Sequence, residues 1–188
     1  MDFPEFKGFA KIARYSRDCV ISEKIDGTNG LIYIDPDLNI FAGSKSRWLW
    51  GSVQDEIHND NYGFAQWVKS NKDELMKLGI GSHYGEWMGQ GIQRNYGLKE
   101  KRFYLFNVHK WTDDIKRPIC CNVVPTLFKG AYTTVNIEHY LQQLQNSGSA
   151  AVPGFMNPEG IVIYHTASKT YFKKTILNDE KPKGSKEE

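Results

Sequence analysis

The chain has 188 residues, 40% of them hydrophobic, 13% aromatic and 24% charged, with a net charge of only +2. That size suits one domain with a real core and is cramped for two, and the near-neutral balance argues against a protein that grips nucleic acid through bulk charge. No apolar run is long enough to span a bilayer, so no membrane partner is expected.

In chain order, Cys19-Val20-Ile21-Ser22 is strand-like and leads into Glu23-Lys24-Ile25-Asp26-Gly27-Thr28-Asn29, after which residues 30–34 read as a strand. A lysine at the mouth of a strand-turn-strand can serve as a nucleophile where its surroundings lower its pKa from about 10.4. Gly27 would let the backbone approach a phosphate closely. The plainer reading is a hairpin turn with an exposed lysine. Residues 64–78 then predict a helix, with Phe64, Trp67, Val68, Leu75 and Leu78 apolar and Gly79 as its stop.

The strand expected at residues 82–87 runs into His83-Tyr84-Gly85-Glu86-Trp87-Met88-Gly89-Gln90-Gly91-Ile92-Gln93-Arg94. Its glycines allow a loop that wraps a sugar or phosphate, and Glu86 could accept bonds from ribose hydroxyls. A further strand is expected over residues 102–108, where Tyr104 and Phe106 would share a face and offer a ring to a purine, or simply pack. Residues 136–145 predict a second helix, capped by Asn136, with Ile137, Tyr140, Leu141 and Leu144 on one stripe. Last come Pro158-Glu159-Gly160, a strand at 160–164 and another at 170–172 that ends in Lys173-Lys174-Thr175. A carboxylate there suits Mg²⁺, and lysines suit a phosphate.

Strands outnumber helices and interleave with them irregularly, so the expected class is α+β with mainly antiparallel sheets and flanking helices. Residues 1–177 would form the domain, and 178–188, charged and poor in apolar side chains, a flexible tail. Cys19, Cys120 and Cys121 make no disulfide framework, and the five histidines show no metal-ligand spacing. Met1-Asp2-Phe3-Pro4-Glu5 lacks the features of a signal peptide.

The order of these pieces is that of nucleotidyltransferase motifs I, III, IIIa, IV and V. In wording, Glu23-Lys24-x-x-Gly27-Thr28-Asn29 and Gly85-Glu86-x-x-Gly89-x-Gly91-x-Gln93 resemble the ATP-dependent RNA ligases of bacteriophages and their RNA-editing relatives, over residues from about Val20 to about Thr175. The resemblance implies an ATP-grasp-like ligase adenylation domain. It implies that Lys24 takes AMP from ATP, that Glu23, Ile25, Gly27 and Asn29 serve the nucleotide, that Glu86 binds ribose and that Phe106, or Tyr104, stacks on adenine. Glu159 would hold Mg²⁺, with Mn²⁺ a substitute, and Lys173 would contact the α-phosphate with Lys174 beside it.

A basic residue between motifs I and III would meet phosphate, either Arg47 or Lys45. Lys45, Arg47, Arg94, Lys99 and Lys101 are candidate contacts to RNA ends, namely a 5′-phosphate and a 3′-hydroxyl. Motif V departs from the family, since its lysines are adjacent rather than two apart, and only thirteen residues follow Thr175, too few for the OB-fold domain of DNA ligases and capping enzymes. The implied protein is a monomeric, cytoplasmic RNA ligase of a bacterium or a phage-infected cell. An ATP-dependent DNA ligase, a GTP-dependent capping enzyme and a non-catalytic binding module are the alternatives.

Overall fold

The computed structural model describes residues 4–112 and 117–180. It is built on two sheets, each backed by helices, that face one another across a cleft. The smaller sheet has the order β10-β9-β1-β8 and the larger β4-β3-β2-β5-β6-β7. Every pairing is antiparallel except that of β6 with β7, which bears out the α+β expectation.

The smaller sheet consists of β1 (Asp18–Lys24), β8 (Thr126–Ala131), β9 (Gly160–His165) and β10 (Thr170–Thr175). One face carries Cys19, Ile21, Ile161 and Ile163, which pack beneath helix α3 (Thr134–Ser147) through Leu141 and Leu144, with Ile137 and Tyr140 partly buried beside them. The helix stripe is the one expected. The cap is not: Thr133 holds that position and its hydroxyl accepts from the Asn136 N–H at 3.1 Å, so Asn136 lies inside the first turn.

The larger sheet consists of β2 (Thr28–Ile34), β3 (Ile40–Gly43), β4 (Trp48–Gly51), β5 (Gly81–Gly89), β6 (Lys101–Leu105) and β7 (Cys121–Val123). Its inner face buries Ile32, Ile34, Trp87 and Phe103 against Phe64, Val68 and Leu75. The single helix expected over residues 64–78 is in fact broken into α1 (Phe64–Ser70), α2 (Lys72–Leu75) and a 3₁₀ turn, Met76–Leu78. Asn71 makes the break by donating its side-chain amide back to the Trp67 carbonyl at 2.8 Å. Gly79 does end the segment, at φ 80°.

The strand bounds that differ most from expectation are those of β10 and β6. β10 runs on through Lys173, Lys174 and Thr175, whereas β6 stops at Leu105 rather than 108. Most of the proposed tail, 181–188, lies outside the described residues. Among those described, no helix is long and apolar enough to cross a membrane, and Cys19, Cys120 and Cys121 are free thiols.

Candidate active site

β1 and β2 are consecutive but belong to different sheets, so the run from Lys24 to Thr28 is a crossing between layers and not a hairpin turn. Lys24, the last residue of β1, is paired with Gly160, the first residue of β9. That register sets Glu159 beside Lys24 although they lie far apart in the chain, and the Lys24 Nζ meets Glu159 Oε2 at 2.6 Å. The Glu159 side chain is 9% exposed and that of Lys24 23%, so the pair sits at the cleft floor where water screens it little.

From the opposite sheet comes Glu86. Its Oε1 accepts from the Gly27 N–H at 3.1 Å and its Oε2 from the Asn29 amide at 3.3 Å. Burial pushes the Glu86 carboxyl up to about 7; Lys24 and the Gly27 N–H oppose the rise, while Glu159 and Asp26 add to it. Gly27 is required by space, because a Cβ there would overlap the Trp87 carbonyl oxygen. A cleft of about 910 Å³ opens between the sheets, lined by Lys24, Asn29, Glu86, Phe106, Val162 and Tyr164 among others. That size accommodates a nucleotide.

The register of β10 separates its two lysines. Lys173 is paired with Val162 and Thr175 with Gly160, and those β9 residues are in turn the partners of Ser22 and Lys24 on β1. Directly paired residues share a face, so Lys173 and Thr175 stand on the Lys24 side. Lys174 stands on the other, where its Nζ meets Glu138 of α3 at 3.3 Å and Asp179 at 3.7 Å. Lys174 is thereby removed from the nucleotide-binding set.

Other expectations change as well. The Glu23 side chain is 1% exposed and accepts from the Ser149 hydroxyl at 2.6 Å and the Ala151 N–H at 2.8 Å. Burial raises its carboxyl and those bonds pull it back. The carboxylate is thus a strut for the loop after α3. Tyr104 is buried at 4% exposure and donates its hydroxyl to the Ala151 carbonyl at 3.0 Å, so it is no stacking ring. Phe106 lies past the end of β6, its N–H donating to the Tyr84 carbonyl at 3.0 Å, and is 40% exposed at the cleft wall. Ile25 is buried at 4% with Met88 and Tyr104 yet touches the cleft.

Of the basic candidates for RNA ends, Arg94 is engaged elsewhere. Its Nε meets Asp26 Oδ2 at 3.0 Å, and a guanidinium N–H donates to the Asn157 carbonyl and side-chain oxygens at 3.2 and 2.8 Å. Asp26 also donates its N–H to the Tyr96 hydroxyl at 2.9 Å. Arg94 thus ties the crossing after Lys24 to the loop before Glu159. Lys101 donates to the Tyr62 carbonyl at 2.8 Å and Lys99 is exposed. In the β3–β4 turn, Arg47 donates to the Asn59 carbonyl at 3.0 Å, while Lys45 is exposed and has no hydrogen bond or ion pair among the described residues.

Among the described residues no three His, Cys, Asp or Glu side chains gather to hold a metal ion. Mg²⁺ rarely asks for such a cage, taking one or two carboxylates with phosphate and water oxygens. Glu159 fits that role: Oε2 is engaged by Lys24 and Oε1 has no hydrogen bond among the described residues. Sequence reasoning missed the Arg94–Asp26–Asn157 tie and the cleft residues Val162, Tyr164 and Tyr171. Val162 and Tyr164 were visible only as the alternate positions of a strand whose other residues are buried.

The family model described as RNA ligase matches residues 17–177. Solved structures are similar in fold. One variant of a Naegleria gruberi RNA ligase with ATP and Mn has a TM-score of 0.58 at 20% identity, covering 86% of this chain and 50% of that one. A variant with AMP and Mn gives 0.56 at 20% identity, covering 92% and 57%, and an apo variant 0.55 at 22%, covering 84% and 49%. The chain therefore spans about half the length of the solved structures it matches. No curated protein matches it.

Proposed function

The chain belongs to the RNA ligase family, and from that premise we propose that it is an ATP-dependent RNA ligase working through a lysyl-AMP intermediate on Lys24. The observation that carries the reading is the Lys24 amine at the cleft floor, held by Glu159 from its own sheet and facing Glu86 from the other.

The reaction has three steps, in which positioning and charge neutralisation do most of the work. The ammonium of the ion pair first gives up its proton to solvent water, and the amine turns from Glu159 to the α-phosphorus of ATP. An N–P bond forms, the bond to the bridging oxygen breaks, and pyrophosphate leaves in line. Lys173, on the same sheet face, neutralises charge on the α-phosphate. In the second step a 5′-phosphate oxygen of the RNA attacks the same phosphorus and displaces Lys24. In the third, a 3′-hydroxyl attacks the 5′-phosphate, AMP leaves and the strand is sealed.

The nucleoside is held mainly from the larger sheet: Phe106 stacks on adenine, Glu86 accepts from ribose, and Val162 lines the wall across from them. A divalent cation, Mg²⁺ or Mn²⁺, would be held by Glu159 together with phosphate oxygens and would supply charge neutralisation for the triphosphate. The ATP or AMP bound with Mn in Naegleria gruberi RNA ligase structures supports this choice of nucleotide and metal.

The test is intact mass after incubation with Mg²⁺ and either ATP or GTP, beside a Lys24→Ala variant. An AMP adduct on the wild type and none on the variant is expected. A GMP adduct would move the protein to capping chemistry, and no adduct with either nucleotide would overturn the enzymatic reading. Sealing of single-stranded RNA, nicked RNA and nicked DNA then ranks the substrates.

A further inference from the structure

The cleft floor does not end where the nucleotide site ends. On β5, Ser82, Tyr84 and Glu86 all line the cleft, and their partners on β2 are Tyr33, Leu31 and Asn29. Tyr33 and Leu31 are in turn paired with Phe41 and Gly43 on β3, which are paired with Gly51 and Trp48 on β4. Paired residues share a face, so Tyr33, Phe41 and Trp48 form an outward continuation of the cleft floor across the same sheet.

Those three rings touch one another, with centroids 5.8–6.1 Å apart. They lie over the sheet because two glycines leave room. A Cβ on Gly51 would come within 2.6 Å of the Phe41 ring and one on Gly43 within 3.2 Å of the Trp48 ring. A groove of about 560 Å³ opens above them, and Trp48 is 53% exposed. Rings that touch one another along the wall of an open groove offer a surface on which planar groups can stack.

Two features point to the occupant. The shelf is continuous with the cleft in which, on the proposed reading, the RNA end reacts. The turn that carries Trp48 also carries Lys45, without a protein partner among the described residues, and Arg47, which contributes only one bond to a backbone carbonyl. Rings that accept any base face, set beside cations that no carboxylate neutralises among the described residues, are what single-stranded polynucleotides bind. Glu56 also walls the groove, so the groove suits bases while the phosphates fall to the Lys45–Arg47 turn.

We propose that the Tyr33–Phe41–Trp48 shelf stacks unpaired bases of the RNA strand whose end lies in the cleft. This rests on the ligase reading and adds a substrate class to it: ends that continue as single strand. Three strand spacings separate Tyr84 from Trp48, about 14 Å, which is on the order of four stacked nucleotides.

The test compares wild type, Trp48→Ala and Trp48→Phe for binding of 5′-phosphorylated single-stranded oligoribonucleotides, from two nucleotides up to about ten, at fixed salt. Affinity should rise once the strand exceeds about four nucleotides. Trp48→Ala should weaken binding of the longer strands by about 5- to 100-fold and leave the shortest unchanged, and Trp48→Phe should restore it. AMP attachment to Lys24 should be equal in all three proteins. The proposal is overturned if Trp48→Ala binds long strands as wild type does, or if it loses short and long strands alike. It is also overturned if the substitution dissolves a dimer in solution, which would mean that a second copy covers the shelf. Failure here with AMP attachment intact removes the shelf alone, whereas a Trp48-dependent length effect without AMP attachment removes the ligase reading alone.

Discussion

Replacing Glu86 by Gln is expected to stabilise the empty protein above neutral pH while crippling it as an enzyme. The Glu86 carboxyl is raised from 4.5 to about 7, chiefly by burial. Because the folded state holds the proton more tightly than the unfolded chain, the group's contribution to stability is fully present below pH 4.5. It is then lost as pH rises through about 7. At about 1.36 kcal/mol per unit the shift sets a ceiling of roughly 3.4 kcal/mol. Glu86 is only half-buried, so solvent screening reduces the expected figure to about 1–2 kcal/mol. A neutral Gln keeps an acceptor for the Gly27 N–H and has no charge to desolvate. In thermal melts of the apo protein, the variant's advantage should grow between pH 4.5 and 8 and then level off. For a chain of this length it should reach about 3–6 °C. An advantage that is flat or shrinking with pH would refute the burial argument. In the same samples, AMP attachment should fall about 100-fold, because the second carboxylate oxygen, which ribose would use, becomes an N–H donor.

Lys173→Ala should slow AMP attachment by about 100-fold in single-turnover assays, whereas Lys174→Ala should change it less than about 3-fold and cost at most about 1 kcal/mol of stability from its exposed ion pairs. Arg94→Met should cost about 2–3 kcal/mol in urea unfolding by removing the cation paired with Asp26 and the bonds to Asn157, and slow AMP attachment about 10- to 100-fold through misplacement. Arg94→Lys should not rescue the rate, since one ammonium cannot span Asp26 and Asn157 as the fork does. Gly27→Ala should cost more than about 2 kcal/mol, read as a lower urea midpoint, because the Trp87 carbonyl cannot retreat without breaking a sheet.

Local features proved more legible in sequence than spatial ones. The Ile137–Leu144 stripe and the alternation over residues 160–164 were visible because burial follows the period of a helix or strand. The extent of β6 was not, because Phe106 leaves the strand to bond the Tyr84 carbonyl and aims its ring into the cleft, which nothing in an aromatic run announces. Lys173 and Lys174 look alike in sequence, and only the pairing of Thr175 with Gly160 decides which one shares a face with Lys24. The role of Arg94 was hidden by distance, since Asp26 and Asn157 lie 68 and 63 residues away. Its charge suggested a ligand where the fold uses it as a tie.

The crossing from β1 to β2 divides the labour of the site. Lys24, Glu159 and Lys173 all ride on the smaller sheet and its loops, locked in mutual register by continuous backbone pairing, while Glu86 and Phe106 belong to the other layer. The proposed bond-making groups therefore take their spacing from one sheet, and the proposed nucleoside contacts take theirs from the other. A change of base preference has a sheet of its own in which to arise, with the nucleophile left undisturbed.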